Sequence, residues 1–124
     1  MNVTTSRTIK NYKDLRVWQE SMELAEEVYA MCGSLPRDET YGLAAQMKRA
    51  TVSIPSNIAE GHSKRHRAEY RQSIYVAVGS LAELETQLHL AGRLRLLPDQ
   101  RLAPVFARID RLKAMLVTLG QKLK

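Results

Sequence analysis

Cysteine is almost absent from this chain. Cys32 is the only one, so no disulfide can close within it. Its setting among apolar residues on a helical pattern reads as a small core residue. A reactive thiolate needs a base or cation beside it, and the sequence offers none. Glycine and proline are also scarce, 6 and 4 in 124 residues, so few points force regular structure to break. Long apolar runs are missing too. Nothing approaches the roughly 18 residues of a membrane span. The opening Met1-Asn2-Val3-Thr4-Thr5-Ser6-Arg7 lacks the apolar stretch of a secretory signal. A cytoplasmic protein without membrane association is expected.

Catalytic signatures are missing as well. There is no Gly-rich phosphate loop and no Gly-x-Ser-x-Gly elbow. Neither His-Glu-x-x-His nor Glu-x-x-His occurs, which removes the ligand spacing of zinc proteases and di-iron bundles. His62 and His66 are four apart but straddle Gly61, with no acidic or Cys partner at ligand spacing. They read as structural, and His89 as a helix flank. The expectation is a protein that is not an enzyme and carries no metal or cofactor.

What is present is helical periodicity. The length suits one domain, and 44% hydrophobic with 26% charged residues suits a globular one. Apolar residues recur in steps of three and four. The first stripe, after a cap at Asp14, is Leu15, Trp18, Met22, Ala25, Tyr29 and Cys32, stopped by Gly33 and Pro36. The second opens after Pro36-Arg37-Asp38-Glu39, with Asp38 as cap. It runs Leu43, Met47, Ala50, Ile54 and Ile58, and ends at Gly61. Pro55 lies inside it and predicts a kink near Thr51, or two shorter helices. The third, from about Arg67 to Leu94, is Ile74, Ala77, Leu81, Leu84, Leu88 and Ala91. The fourth starts near Pro98-Asp99 and runs Leu102, Val105, Ile109, Leu112, Leu116, Leu119 and Leu123.

No segment alternates as a strand would. Connections at Gly33–Arg37, Gly61–His66 and Arg95–Asp99 are short. The predicted fold is all-α, an antiparallel up-down-up-down four-helix bundle over residues 11–124, with residues 1–10 frayed. Apolar residues off the main stripes, such as Val17, Leu24, Val28, Phe106 and Met115, suggest a second face buried against another subunit. Scattered surface apolars are the plainer explanation.

Two polar features stand out. Gln46, Arg49, Ser53, Asn57 and Glu60 follow the helix period along the second segment; Ser80, Glu83 and Gln87 do so along the third. Both stripes flank apolar ones, which predicts a partly buried network across a helix interface. Arg49 is paired with Glu83, and Ser53, Asn57 and Ser80 supply hydrogen bonds. The second feature is the basic stretch from Gly61 to Arg71, holding Lys64, Arg65, Arg67 and Arg71. Net charge is +6 and the sequence pI about 9.7. Such a balance favours polyanions. Lys48, Lys64, Arg65, Arg67, Arg71, Arg108 and Arg111 are the candidate phosphate contacts, with RNA favoured over DNA. A merely solubilising basic surface is the alternative.

Several stretches carry a family resemblance. They are Tyr12-Lys13-Asp14-Leu15-Arg16-Val17-Trp18-Gln19, Tyr41 to Ala50, and Gly79 to Gln87. The most specific is Ser53-Ile54-Pro55-Ser56-Asn57-Ile58-Ala59-Glu60-Gly61. From Tyr12 to about Leu97 the chain resembles the small four-helix proteins encoded within bacterial 23S rRNA intervening sequences. The resemblance implies a ring-shaped homopentamer. A similar fold serves as the accessory protein of diversity-generating retroelements, where it binds nucleic acid and partners a reverse transcriptase. The resemblance thus implies a nucleic-acid-associated bundle or, alternatively, a scaffold for a nucleic-acid enzyme.

Overall fold

The structure, a computed structural model, describes residues 8–124. The frayed segment expected over residues 1–10 falls mostly on residues 1–7, outside the described residues. Four helices follow: α1 (Arg16–Cys32), α2 (Leu43–His62), α3 (Arg67–Arg93) and α4 (Asp99–Lys122). There is no strand among the described residues. Each helix packs on the next, and α4 returns to α1. The links force sequential helices to run antiparallel, so the bundle is up-down-up-down.

Three of the four seams lie where the periodicity puts them. Leu43, Met47, Ala50, Ile54 and Ile58 of α2 are buried, as are Ile74 through Ala91 of the α3 stripe. The α4 stripe is buried from Leu102 to Leu116, with Leu119 packed against it. α2 is one unbroken helix through Pro55, which is itself buried. Pro55 has no N–H, so it cannot close the helical bond to the Thr51 carbonyl. Pro104 sits in the second turn of α4, where the freed carbonyl lies near solvent.

The α1 seam differs from the expected one. Val17, Ser21, Leu24, Val28 and Met31 face the core, along with Cys32. The expected stripe is rotated outward by one residue: Met22 is 39% and Tyr29 47% exposed, and Trp18 is half-buried. α1 carries two adjacent apolar stripes, and the true one is interrupted by Ser21. That hydroxyl satisfies itself by donating to the Trp18 carbonyl at 2.8 Å, so it enters the core at little cost. The surplus face is therefore Trp18, Met22, Ala25 and Tyr29, while Val17, Leu24 and Val28 are core.

The helix ends also differ. Asp14 does not cap α1; its carboxylate accepts from the Lys10 and Asn11 amides and closes a short 3-10 turn over Tyr12–Asp14. Asp38 does not cap α2 either. α2 begins later than expected, after a 3-10 turn at Arg37–Glu39, and Glu39 Oε1 accepts from the Leu43 amide at 3.1 Å. Gly61 does not end α2, which continues to His62. α3 ends with Arg95 in the left-handed region at φ 62°, its amide bonded to Gly92 O and the Leu96 amide to Ala91 O. This closure usually takes glycine; an Arg there carries a strain of about 1 kcal/mol.

Cys32 is buried, its thiol donating to the Ala44 carbonyl at 3.7 Å. Burial pushes its pKa above the usual thiol value, with Lys48 opposing part of the rise.

The α1 register is directly measurable. Leu24→Ala should cost roughly 2–5 kcal/mol, whereas Met22→Ala should cost about 1 kcal/mol or less. Chemical denaturation of the two variants, read by far-ultraviolet circular dichroism, ranks them.

Candidate nucleic-acid interface

The α2–α3 contact is the largest in the bundle. Small residues make it close. A Cβ added at Gly61 would lie 2.5 Å from Ser73 Cβ, so Gly61 is present for helix approach. One face further along, Ser53 Oγ lies 2.8 Å from Ser80 Oγ. Asn57 Nδ2 donates to the Ser53 carbonyl at 2.7 Å and to Ser53 Oγ at 3.0 Å. These three side chains are half-buried. The structure brings together Ser53, Asn57 and Ser80 from the expected network.

The rest of that stripe is arranged otherwise. Gln46, Arg49, Glu60 and Glu83 are exposed. Among the described residues the ion pairs are those of Arg108, so Arg49 and Glu83 do not pair. Instead they line a cavity of about 440 Å³ together with Gln46, Ala50, Ser53 and Gln87. Long charged side chains at a helix rim gain little by pairing in water and lose rotamer freedom. Gln87 is 8% exposed, and its amide oxygen is buried without a hydrogen-bond partner among the described residues.

The basic residues separate into three groups. Lys64 and Arg65 are exposed in the α2–α3 connection and make no ion pair among the described residues. Arg67 and Arg71 reach across to the end of α4, where they donate to the Lys122 carbonyl at 2.7 Å and the Leu123 carbonyl at 3.4 Å. A cation there satisfies helix-terminal carbonyls and complements the helix dipole. Arg108 is occupied: it lies 3.3 Å from carboxylate oxygens of both Glu23 and Glu27 and is 26% exposed. The Glu27 oxygen makes this ionic contact without hydrogen-bond geometry.

Lys48 and Arg111 lie elsewhere. The Lys48 ammonium sits 5.1 Å from the Tyr29 ring, about four turns from the connection. Arg111 is exposed midway along α4.

The up-down topology adds residues to the Lys64–Arg65 end. The start of α1 and the end of α4 lie there, with Arg16 and Lys122 lining one groove. Exposed Lys10, Lys13, Arg16, Lys122 and Lys124 thus join the connection. Sequence reasoning passed over them because they are far apart in the chain. The signal available was the topology itself, which puts both chain ends beside the second connection. His62 packs edge-on to Tyr70, with ring centroids 5.6 Å apart, and His89 stacks on Phe106 at 4.2 Å. Burial raises the Tyr70 phenol above its ordinary pKa. Tyr75 lies over Gly120, where an added Cβ would meet its ring at 2.9 Å.

A second surface is apolar. Tyr12, Trp18, Met22 and Ala25 form a groove with Val52, Pro55 and Ala59 of α2. Tyr29 extends this face next to Ala45, Lys48 and Val52.

Ser53→Ala removes one hydroxyl that serves both Ser80 and Asn57. It should lower stability by about 1 kcal/mol, and Ser80→Ala in the same background should cost less than it does alone. A double-mutant cycle in urea measures the coupling.

Comparison with known proteins follows the same architecture. The fold is similar to the crystal structure of a protein of unknown function from the S23 ribosomal protein family of Bacteroides thetaiotaomicron, with TM-score 0.78 and 20% sequence identity. The match covers 84% of this chain and 97% of that one. No curated protein is matched. The family model described as 23S rRNA-intervening sequence protein matches residues 13–118, which include the α2–α3 network and the basic connection. The chain belongs to the 23S rRNA-intervening sequence protein family.

Proposed function

We propose that this protein is a non-enzymatic, cytoplasmic bundle that assembles with copies of itself and binds nucleic acid, RNA in particular, through phosphate contacts. The observation that carries this reading is the convergence of cations at one end of the bundle. Lys64 and Arg65 are exposed there and make no ion pair among the described residues, and Lys10, Lys13, Arg16, Lys122 and Lys124 surround them. The carboxylates of that end are Asp14, Glu60 and Glu69, so the local balance stays positive. Flexible exposed cations bind phosphates strongly and without regard to sequence, by releasing condensed counterions. RNA is preferred because the family's description ties it to 23S rRNA. No helix among the described residues is long and apolar enough to cross a membrane.

Self-assembly rests on the outward α1–α2 face. Met22, Tyr29 and Val52 are 39%, 47% and 43% exposed and adjoin half-buried Trp18. An apolar patch of aromatic residues and one methionine of this kind is characteristic of interfaces. A homopentameric ring is the proposed assembly, as the family resemblance implies. An acidic protein partner, such as a reverse transcriptase, is the competing occupant of the basic end. Capture of a protein after nuclease treatment, without bound nucleic acid, would favour it.

Binding to structured RNA should weaken steeply with salt. Lys64→Ala with Arg65→Ala should lower the slope of log affinity against log salt by about 0.7–0.9 per cation. Arg108→Ala should leave it unchanged, since that charge is already neutralised by Glu23 and Glu27. Affinity indifferent to salt contradicts the reading. Met22→Glu with Tyr29→Glu should yield a helical species of monomer mass in sedimentation; an assembly of unchanged mass rules out that face.

A further inference from the structure

Gly79 stands apart from the other glycines inside the helices. A Cβ added at Gly61 would strike Ser73, one at Gly92 would meet Leu102, and one at Gly120 would meet the Tyr75 ring. Each of these positions is kept small by a neighbour in the same chain. A Cβ added at Gly79 would have nothing within 4 Å among the described residues. Glycine in a helix interior is destabilising relative to alanine, through the backbone freedom it loses on folding. No contact within the bundle offsets that at Gly79. Around it α3 carries an outward stripe. Val76, Gly79, Glu83, Leu90 and Leu94 are spaced three, four, seven and four residues apart and are all exposed. Val76, Leu90 and Leu94 are large and apolar. Glu83 makes no ion pair among the described residues.

A ring of more than two identical copies is built from heterologous contacts: the face that one copy presents is received by a different face of the next. The α1–α2 face therefore needs a counterpart elsewhere on the chain, and the α3 stripe matches it. The α1–α2 face is an apolar groove between two helices, and the α3 stripe is a single ridge with a gap at Gly79. Their heights along the bundle agree. Ser53 faces Ser80, and α2 and α3 run antiparallel. Arg49, four residues before Ser53, is thus level with Leu84, four after Ser80 and next to Glu83. Met22 shares its groove with Val52 and Pro55. By the same count these are level with Leu81 and Val78, on either side of Gly79. Charge agrees as well: Lys48 and Arg49 on the α2 side of the groove outnumber Glu26 on the α1 side, and the stripe brings Glu83 to them.

We propose that the outward stripe of α3 receives the α1–α2 face of a second copy, a head-to-tail contact that rests on the self-assembly reading above and supplies its other half. Copies related by rotation about an axis along the bundle meet at equal height. Met22 of one copy then seats over Gly79 of the next, with Val52 against Val76, and Arg49 meets Glu83 across the junction. Gly120 shows the same device within the chain, where it receives the Tyr75 ring. A junction of this kind leaves one free face at each end of an open row of copies, so the contact propagates until the ring closes.

The test uses two variants of the full chain. The first, Met22→Glu with Tyr29→Glu, removes the α1–α2 face. The second, Val76→Glu with Gly79→Gln, charges and fills the α3 stripe. All four positions are exposed, so both variants should keep helical dichroism. If the second does not, Gly79→Gln alone takes its place, since a side chain there starts into open space. In sedimentation each variant alone should have the mass of one chain. Mixed one to one, well above the concentration at which the wild type assembles, they should give the mass of two chains and nothing larger, because each supplies the face that the other lacks. Glu83→Arg should raise the concentration for half-assembly about tenfold or more, and adding Arg49→Glu should lower it again. A monomeric wild type overturns the self-assembly reading and this proposal with it. If the first variant dissociates and the second keeps the wild-type mass, the α3 counterpart alone is overturned. A first variant of unchanged mass, or two monomeric variants that give no dimer on mixing, overturns the pairing as well.

Discussion

The close approach of α2 and α3 organises this molecule. At Gly61 the two helices are near enough that one extra carbon would strike Ser73. Along the same interface, Ser53 and Ser80 touch through their hydroxyls. Neither contact survives an axial slip of one residue, because a slip replaces glycine and serine with larger or differently placed side chains. Apolar seams alone tolerate such slips more easily, since one leucine resembles another. The polar contacts thus set register while the Leu and Ile seams supply most of the burial energy. The cavity beside Ser53 follows from the same geometry, because the rim residues Gln46, Arg49 and Glu83 are too long to enter a contact built for serine.

Charge shows a parallel division of labour. A net charge of +6 says only that cations are in excess. In the folded chain Arg108 is neutralised by two glutamates of α1, and Arg67 and Arg71 tie down the end of α4. Lys64 and Arg65 remain exposed, and the fold adds lysines and an arginine from both ends of the chain. The proposed phosphate surface is therefore smaller than the basic composition suggests at the connection, and larger than the local sequence suggests at that end of the bundle.

The seams of α2, α3 and α4 were legible because in each one run of apolar residues at steps of three and four dominates the scattered apolar residues beside it. α1 has two stripes a residue apart, and hydrophobicity ranks the wrong one first because the true one contains Ser21. Only the folded chain shows that Ser21 bonds to its own helix and so is compatible with the core. The caps were misplaced for a similar reason. Asp14 and Asp38 have the right chemistry, but each belongs to, or lies beside, a 3-10 turn preceding the helix, and Glu39 reaches forward to the amide that needs it. Within the polar stripe, Ser53, Asn57 and Ser80 were readable as a set. Gln87 of that stripe is buried as well, but the separation of Arg49 from Glu83 was not readable, because helical spacing reports direction around an axis and says nothing of reach across a gap.

By itself the sequence determined an all-helical chain, four segments in antiparallel succession, a polar interface between the second and third, and membership of a family carried by the Ser53–Gly61 run. These are consequences of local periodicity and short connections, which act within a few turns of helix. Tertiary structure decided which α1 stripe is core, and so which apolar face is left outward. It decided which cations are engaged internally and which remain at the surface. It also decided that the amide oxygen of Gln87 lies buried without a hydrogen-bond partner among the described residues. Each depends on distances between residues remote in the chain, and those distances are fixed only when the helices pack.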